Sequence, residues 1–147
     1  MGNDSDDRPH ILLVDDELNW AYVMKEIAEL LNLNITITTD PREANRLLSV
    51  GEYDLLITDI RMPEESGFDL IRKVRRRIGD IPIIVVTAYD TDKLHTQAKA
   101  LNVQKVFIKP FQIQELENAM ARLLNIEPVS YTHLRAHETS LHLVCRL

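Results

Sequence analysis

The chain has 147 residues, of which 45% are hydrophobic and 27% are charged, and its formal net charge at pH 7 is −6. This composition is typical of one soluble globular domain and excludes an intrinsically disordered chain. No apolar run approaches the roughly 18 residues of a membrane span, and residues 1–8 are polar. We therefore expect a cytoplasmic protein without membrane attachment. The acidic balance argues against direct nucleic-acid binding.

The C-terminal segment differs in character from the rest of the chain. Residues 129–147 resemble the translation of a sequencing-adapter sequence, and we expect residues 128–147 to be an artefactual, non-native tail. The alternative is a genuine tail that binds a metal through its three histidines, His133, His137 and His142. With residues 1–8 expected to form a flexible N-terminus, residues 9–127 remain as a single domain.

Short apolar runs alternate with amphipathic stretches throughout residues 9–127. The runs are apolar on both faces, as buried parallel strands are, and they cover residues 11–14, 35–38, 55–58, 83–86 and 106–108. Apolar residues at spacings of three and four predict helices over residues 20–31, 44–48, 68–78, 94–101 and 113–124. Five strands alternating with five helices predict an α/β fold with a parallel sheet covered on both faces.

The second helix carries the clearest start signal. Asp40 is a good N-cap, Pro41 suits the first helical position, and Glu43 is placed to bond back to the start of the helix. Gly51 can end this helix. The fourth helix is the least marked of the five, because its apolar stripe has only three members.

Polar residues follow four of the predicted strands: Asp15 and Asp16 the first, Asp59 the third, Thr87 the fourth and Lys109 the fifth. Ligands of open α/β sheets bind at the edge formed by the carboxyl ends of the strands. Carboxylates forced together there repel unless a cation lies among them, and hard oxygen ligands suit Mg²⁺. A carboxylate beside such a metal can attack a phosphoryl group, with an ammonium and a hydroxyl to hold the phosphoryl oxygens.

Each of these residues also has an ordinary structural explanation. The acidic pair can begin a solvated helix, Asp59 can form a turn, Thr87 can fill a strand and Lys109 can be a solvated lysine. These explanations do not account for the occurrence of such residues at the ends of four of the five predicted strands.

The ordered motifs resemble the receiver domains of two-component response regulators over about residues 9–125. They are Ile11-Leu-Leu-Val-Asp15-Asp16-Glu17, Asp54-Leu-Leu-Ile-Thr-Asp59-Ile-Arg61-Met62-Pro63, Ser66-Gly67, Val86-Thr87-Ala88-Tyr89 and Lys109-Pro110-Phe111. The resemblance implies a flavodoxin-like, doubly wound sheet with strand order 2-1-3-4-5. It also implies that residues 9–127 are a receiver domain.

By the same resemblance, Asp59 accepts a phosphoryl group from a histidine kinase. Mg²⁺ would be held by Asp15, Asp16, Asp59 and the backbone carbonyl of Arg61. Thr87 and Lys109 would contact the aspartyl phosphate.

The resemblance also implies how the domain switches between states. Tyr89 would act with Thr87 as the aromatic switch, and the Lys109–Pro110 peptide would be cis.

Two positions depart from the family pattern. Asn102 replaces a glycine before the fifth strand, where asparagine can also take a left-handed conformation. Ser66 replaces an Asp or Asn before Gly67 and can still cap a helix.

The expected function is a signalling switch without enzymatic turnover of its own. Its expected partners are a sensor histidine kinase or phosphotransfer protein and a second copy docked on the face of the fourth helix, fifth strand and fifth helix. The alternative is a degenerate receiver that acts as a phosphorylation-independent interaction module. A phosphohydrolase is disfavoured because Ile60 and Arg61 stand where a second acid is expected, and a nucleotide-binding fold lacks the glycines for a phosphate loop.

Overall fold

The computed structural model describes residues 7–61 and 66–127. Its elements in chain order are β1 (His10–Val14), α1 (Leu18–Leu30), β2 (Asn34–Thr38), α2 (Pro41–Val50), β3 (Leu55–Thr58), α3 (Gly67–Arg77), β4 (Ile83–Thr87), α4 (Asp92–Ala100), β5 (Lys105–Ile108) and α5 (Ile113–Leu124). All strand pairs are parallel, in the order β2-β1-β3-β4-β5. The predicted flavodoxin-like, doubly wound fold is confirmed.

Some predictions fall outside the described residues. They concern the tail at residues 128–147, most of the N-terminus, and the motif residues Met62 and Pro63. None of the helices within residues 7–61 and 66–127 has the length and apolar character of a membrane span.

The two faces of the sheet are covered by different helices. Side chains alternate along β1, so that Ile11 and Leu13 pack with α1 and α5, while Leu12 and Val14 pack with α2, α3 and α4. The central strands β3 and β4 are buried over their whole length. Because both faces of these strands are buried, they lack the alternation of apolar and polar residues that a strand with one solvated face shows.

Helix α2 begins at the predicted cap, but its second capping bond differs from the prediction. Asp40 accepts a hydrogen bond from the Arg42 N–H, and Pro41 follows it. Glu43 does not bond back to the helix start; its carboxylate accepts from the Thr38 hydroxyl at 2.9 Å. The Asp40 N–H donates to the same hydroxyl oxygen at 3.2 Å. The end of β2 places Thr38 between both groups, which is a tertiary contact that local sequence cannot indicate.

The turn between α4 and β5 accommodates asparagine where a glycine was expected. Asn102 has φ of 59°, as predicted for a left-handed residue. The Arg75 guanidinium of α3 fastens this turn, because it donates to the carbonyls of Leu101 and Asn102 at 2.8 Å each. The turn is therefore held from α3 as well as by its own backbone.

The hydrogen-bond ladder of the sheet continues one residue past three strands. The Asp59 N–H donates to the Val14 carbonyl at 3.1 Å, and the Lys109 N–H donates to the Thr87 carbonyl at 2.8 Å. The Asp15 N–H is bonded in the same way to the last residue of β2, at 3.1 Å. These side chains consequently leave the sheet at one edge from fixed backbone positions.

Candidate functional site

Three carboxylates meet at the C-terminal edge of the sheet. One oxygen from each of Asp15, Asp16 and Asp59 lies within 4.8 Å of the others. Asp15 is buried, Asp59 is half-buried and Asp16 is exposed, so solvent reaches the cluster at Asp16. The structure therefore brings together the three side chains that were predicted to hold a metal.

Burial sets the electrostatics of this cluster. It raises the pKa of Asp15 to about 6, against the opposing charge of Lys109. Burial also raises the pKa of Asp59. Two interactions oppose this rise: the Ile60 N–H donates to Asp59 Oδ1 at 2.6 Å, and the positive charge of Lys109 lies nearby. Asp15 Oδ2 is buried and has no hydrogen-bond partner among the described residues. A buried carboxylate with such an oxygen, clustered with two other acids, fits a divalent cation with oxygen ligands.

Lys109 lies beside the carboxylates but bonds most closely to a residue without a predicted role. Its ammonium nitrogen lies 2.6 Å from Glu17 Oε1 and 3.7 Å from Asp15 Oδ2. Burial lowers the pKa of Lys109, but the hydrogen bond to Glu17 and the charge of Asp15 outweigh it and leave the pKa raised. Lys109 thus carries its positive charge at neutral pH. The Lys109–Pro110 peptide bond is cis.

Thr87 supplies a hydroxyl at the end of β4. The residue is fully buried, and its Oγ1 accepts a hydrogen bond from the Tyr89 N–H at 3.3 Å. The Thr87 side chain also helps to lower the pKa of Asp59 against the effect of burial. It is therefore close enough to act on the Asp59 carboxylate.

Arg61 and Tyr89 form the exposed rim of the site. The Arg61 guanidinium carbon lies 4.1 Å from the centroid of the Tyr89 ring, a cation–π contact. Tyr89 is 51% exposed, so its ring points outward. The Arg61 N–H approaches Asp59 Oδ1 at 3.3 Å. The metal contact predicted for the Arg61 carbonyl and the switch role predicted for Tyr89 both stay predictions.

Helix α3 begins directly against the loop that carries Asp59. The Ser66 hydroxyl caps the helix by accepting from the Asp69 N–H at 3.2 Å, as predicted. Gly67 donates its N–H to the Ile60 carbonyl at 2.8 Å. The helix start is thereby tied to the backbone next to Asp59.

Sequence reasoning missed two residues next to Lys109. Glu17 is part of the first motif, but no role was assigned to it. Trp20 was assigned to the apolar stripe of α1, and the structure places its ring 5.3 Å from the Lys109 ammonium and edge-on to Phe111. Because both contacts join segments about 90 residues apart, no local pattern could have indicated them.

The fold and the site together define an α/β domain with an acidic pocket flanked by a lysine and a threonine. The family model of the response regulator receiver domain matches residues 11–121, which is more than half of the chain. The chain belongs to the response regulator receiver domain family.

Relatives of known name and structure agree with this assignment. The chain is 36% identical over 118 residues to the response regulator SaeR of Staphylococcus epidermidis, covering 78% of this chain and 51% of that protein. The chain spans about half the length of the curated relatives it matches. Among solved structures it is similar to the response regulator TrrA of Thermotoga maritima in complex with Mg²⁺ and a beryllium fluoride, at 32% identity, a TM-score of 0.72 and coverage of 79% and 99%. The non-phosphorylated HemR receiver domain of Leptospira biflexa matches at 26% identity, a TM-score of 0.75 and coverage of 84% and 100%.

Proposed function

We propose that this domain is a phosphoacceptor switch of a two-component system, in which Asp59 receives a phosphoryl group in an Mg²⁺-dependent reaction. The observation that carries the proposal is the position of Asp59: its carboxylate lies in one cluster with those of Asp15 and Asp16, and Thr87 and Lys109 are close enough to influence its pKa. The donor would be the phosphohistidine of a sensor histidine kinase or a phosphotransfer protein.

Phosphoryl transfer to Asp59 needs one nucleophile and three groups that stabilise the negative charge on the phosphoryl oxygens. A carboxylate oxygen of Asp59 forms a bond to phosphorus as the phosphorus–nitrogen bond of the donor breaks, and the imidazole keeps the electron pair and takes a proton. The hydroxyl of Thr87 and the ammonium of Lys109 would each hold one equatorial phosphoryl oxygen. Asp15, Asp16 and Asp59 would hold Mg²⁺, which supplies charge neutralisation for the remaining oxygen when bound.

The consequence of phosphorylation would be a shift between two conformations. Thr87 would move toward the phosphoryl group, and Tyr89 would change position with it. The changed face would be the one formed by α4, β5 and α5, where a second copy of the chain could dock. The domain would act as a switch that assists its own phosphorylation and dephosphorylation, with no turnover of an external substrate and no direct contact with nucleic acid.

Mass spectrometry of the purified chain tests this proposal. After incubation with Mg²⁺ and acetyl phosphate, we expect the mass of one phosphoryl group on the parent protein and none after Asp59→Ala or in excess EDTA. Asp92→Ala is the matched control, because Asp92 is an exposed aspartate on α4, and it should be phosphorylated like the parent. A folded parent protein that gains no mass would contradict the proposal and favour a phosphorylation-independent interaction module.

A further inference from the structure

Lys109 makes its shortest ionic contact with a residue that the proposed phosphoryl chemistry does not use. The ammonium lies 2.6 Å from Glu17 Oε1, compared with 3.7 Å from Asp15 Oδ2. The Lys109 side chain is only 17% exposed, whereas that of Glu17 is 62% exposed. The pair therefore joins a largely buried cation to an anion that water can reach.

The local structure leaves the Glu17 carboxylate available for this contact. Glu17 is the N-cap residue of α1, but its side chain makes no capping hydrogen bond to the helix. Its own N–H donates to Asp15 Oδ1 at 2.9 Å, which fixes its backbone next to the acidic cluster. A carboxylate at this position ordinarily stabilises the helix start. Here it reaches Lys109, 92 residues away in the chain.

We propose that Glu17 is a positioning residue that holds Lys109 in the unphosphorylated state and competes with the incoming phosphoryl group for it. This inference rests on the proposed phosphoacceptor function. The three N–H donors of the ammonium share one nitrogen, so movement of that nitrogen toward a phosphoryl oxygen on Asp59 lengthens and weakens its 2.6 Å contact with Glu17. Glu17 can give up the contact at small cost, because it is exposed and water solvates its freed carboxylate.

The inference predicts that removing the charge of Glu17 speeds phosphorylation. At saturating Mg²⁺, Glu17→Gln should raise the rate of phosphoryl uptake from acetyl phosphate by about twofold to fivefold, the range that corresponds to loss of one exposed ion pair. The ratio of the variant rate to the parent rate should fall toward one as ionic strength rises, since salt screens an exposed pair. A purely structural role of Glu17 would not give this salt dependence.

Two further variants decide whether the effect passes through Lys109. In a Lys109→Gln background, which has no ammonium to hold, the added Glu17→Gln change should leave the residual rate unaltered. Glu29→Gln removes the same charge from an exposed position on α1, about 18 Å further along the helix, and should leave the parent rate unaltered. Thermal unfolding of each variant confirms that the protein is folded.

The possible outcomes separate this inference from the proposed function. A rate ratio of one, or a decrease, in a parent protein that is phosphorylated overturns the role of Glu17 and leaves the phosphoacceptor function standing. A decrease in the phosphorylation rate of Glu17→Gln that appears only below saturating Mg²⁺ also overturns the positioning role, because it would mean that Glu17 contributes to metal binding. A parent protein that takes up no phosphoryl group overturns both.

Discussion

Gly67 allows the start of α3 to lie against the backbone of Asp59, the proposed phosphoacceptor. A Cβ added to Gly67 would lie 2.1 Å from the Asp59 carbonyl oxygen and 3.0 Å from the Ile60 Cα, and both of these are backbone atoms. The Ser66-Gly67 motif predicted the start of α3 and its cap correctly. It could not indicate this close approach, because the distance between α3 and the end of β3 is set by packing and is absent from the local pattern.

Gly67→Ala should therefore impair both stability and phosphorylation. The forced shift of backbone should lower the free energy of unfolding by about 1–3 kcal/mol. It should also lower the rate of phosphoryl uptake about tenfold or more, because Asp59 moves relative to its neighbours. Urea unfolding and mass spectrometry with acetyl phosphate measure the two effects.

Gly51→Ala is the control for this prediction. At Gly51 an added Cβ would lie 3.1 Å from a Tyr53 ring atom, which can move, and 3.3 Å from the Leu47 carbonyl oxygen, and neither contact involves the backbone of Asp59. Phosphoryl uptake by this variant should equal that of the parent. Equal uptake by Gly67→Ala as well would show that the α3 contact does not position Asp59.

At the scale of elements, periodicity predicted which helices exist but not every buried residue on them. The apolar spacing in α5 identified Leu116 and Met120, which are fully buried. Glu117 lies between them and is only 2% exposed, with Oε2 lacking a hydrogen-bond partner among the described residues. A glutamate next to an apolar stripe is ordinarily solvated, so the periodicity of α5 does not predict that Glu117 is buried.

Glu117 should make the stability of the domain depend on pH. Burial raises its pKa from 4.5 to about 7 in the folded state. The folded state therefore retains a proton that the unfolded chain releases, and stability falls as pH rises from about 4.5 to about 7, by about 1.4 kcal/mol per pH unit. Glu117→Gln, which stays neutral, should be no more stable than the parent at pH 4 and more stable at pH 8, by up to roughly 3 kcal/mol.

Urea unfolding at both pH values measures this difference. Glu115→Gln is the matched control, since Glu115 is an exposed residue on the same helix, and its effect on the free energy of unfolding should be small. A Glu117→Gln variant that tracks the parent at pH 4 and pH 8 alike would mean that the Glu117 carboxylate is solvated in the folded protein.

For the whole molecule, the alternation of strands and helices predicted a parallel sheet, but it left the strand order open. Right-handed crossovers permit several orders for five strands. The order 2-1-3-4-5 came from the family resemblance, and the structure confirms it. The order matters because it makes β1 and β3 neighbours, which brings Asp15 and Asp59 together although 44 residues separate them in the chain.

This arrangement should make Mg²⁺ a stabilising ligand of the entire domain. The acids converge only in the folded chain, so the cation binds the folded state and raises the free energy of unfolding by about 2.7 kcal/mol at a hundred times its Kd. For a domain of this size, that corresponds to a Tm increase of roughly 10 °C. Since binding requires ionised Asp15, whose pKa is about 6 without metal, the increase should be smaller at pH 5 than at pH 8.

Thermal unfolding with Mg²⁺ or EDTA, at constant ionic strength, measures the effect. Asp16→Asn removes an exposed predicted ligand and should abolish the Mg²⁺-dependent increase, while the EDTA value should equal or exceed that of the parent because one of three neighbouring negative charges is gone. Asp92→Asn makes the same change of charge on α4 and should retain the full increase. If Mg²⁺ raised the Tm of all three proteins equally, the cation would act on the overall negative charge of the chain and not at the edge of the sheet.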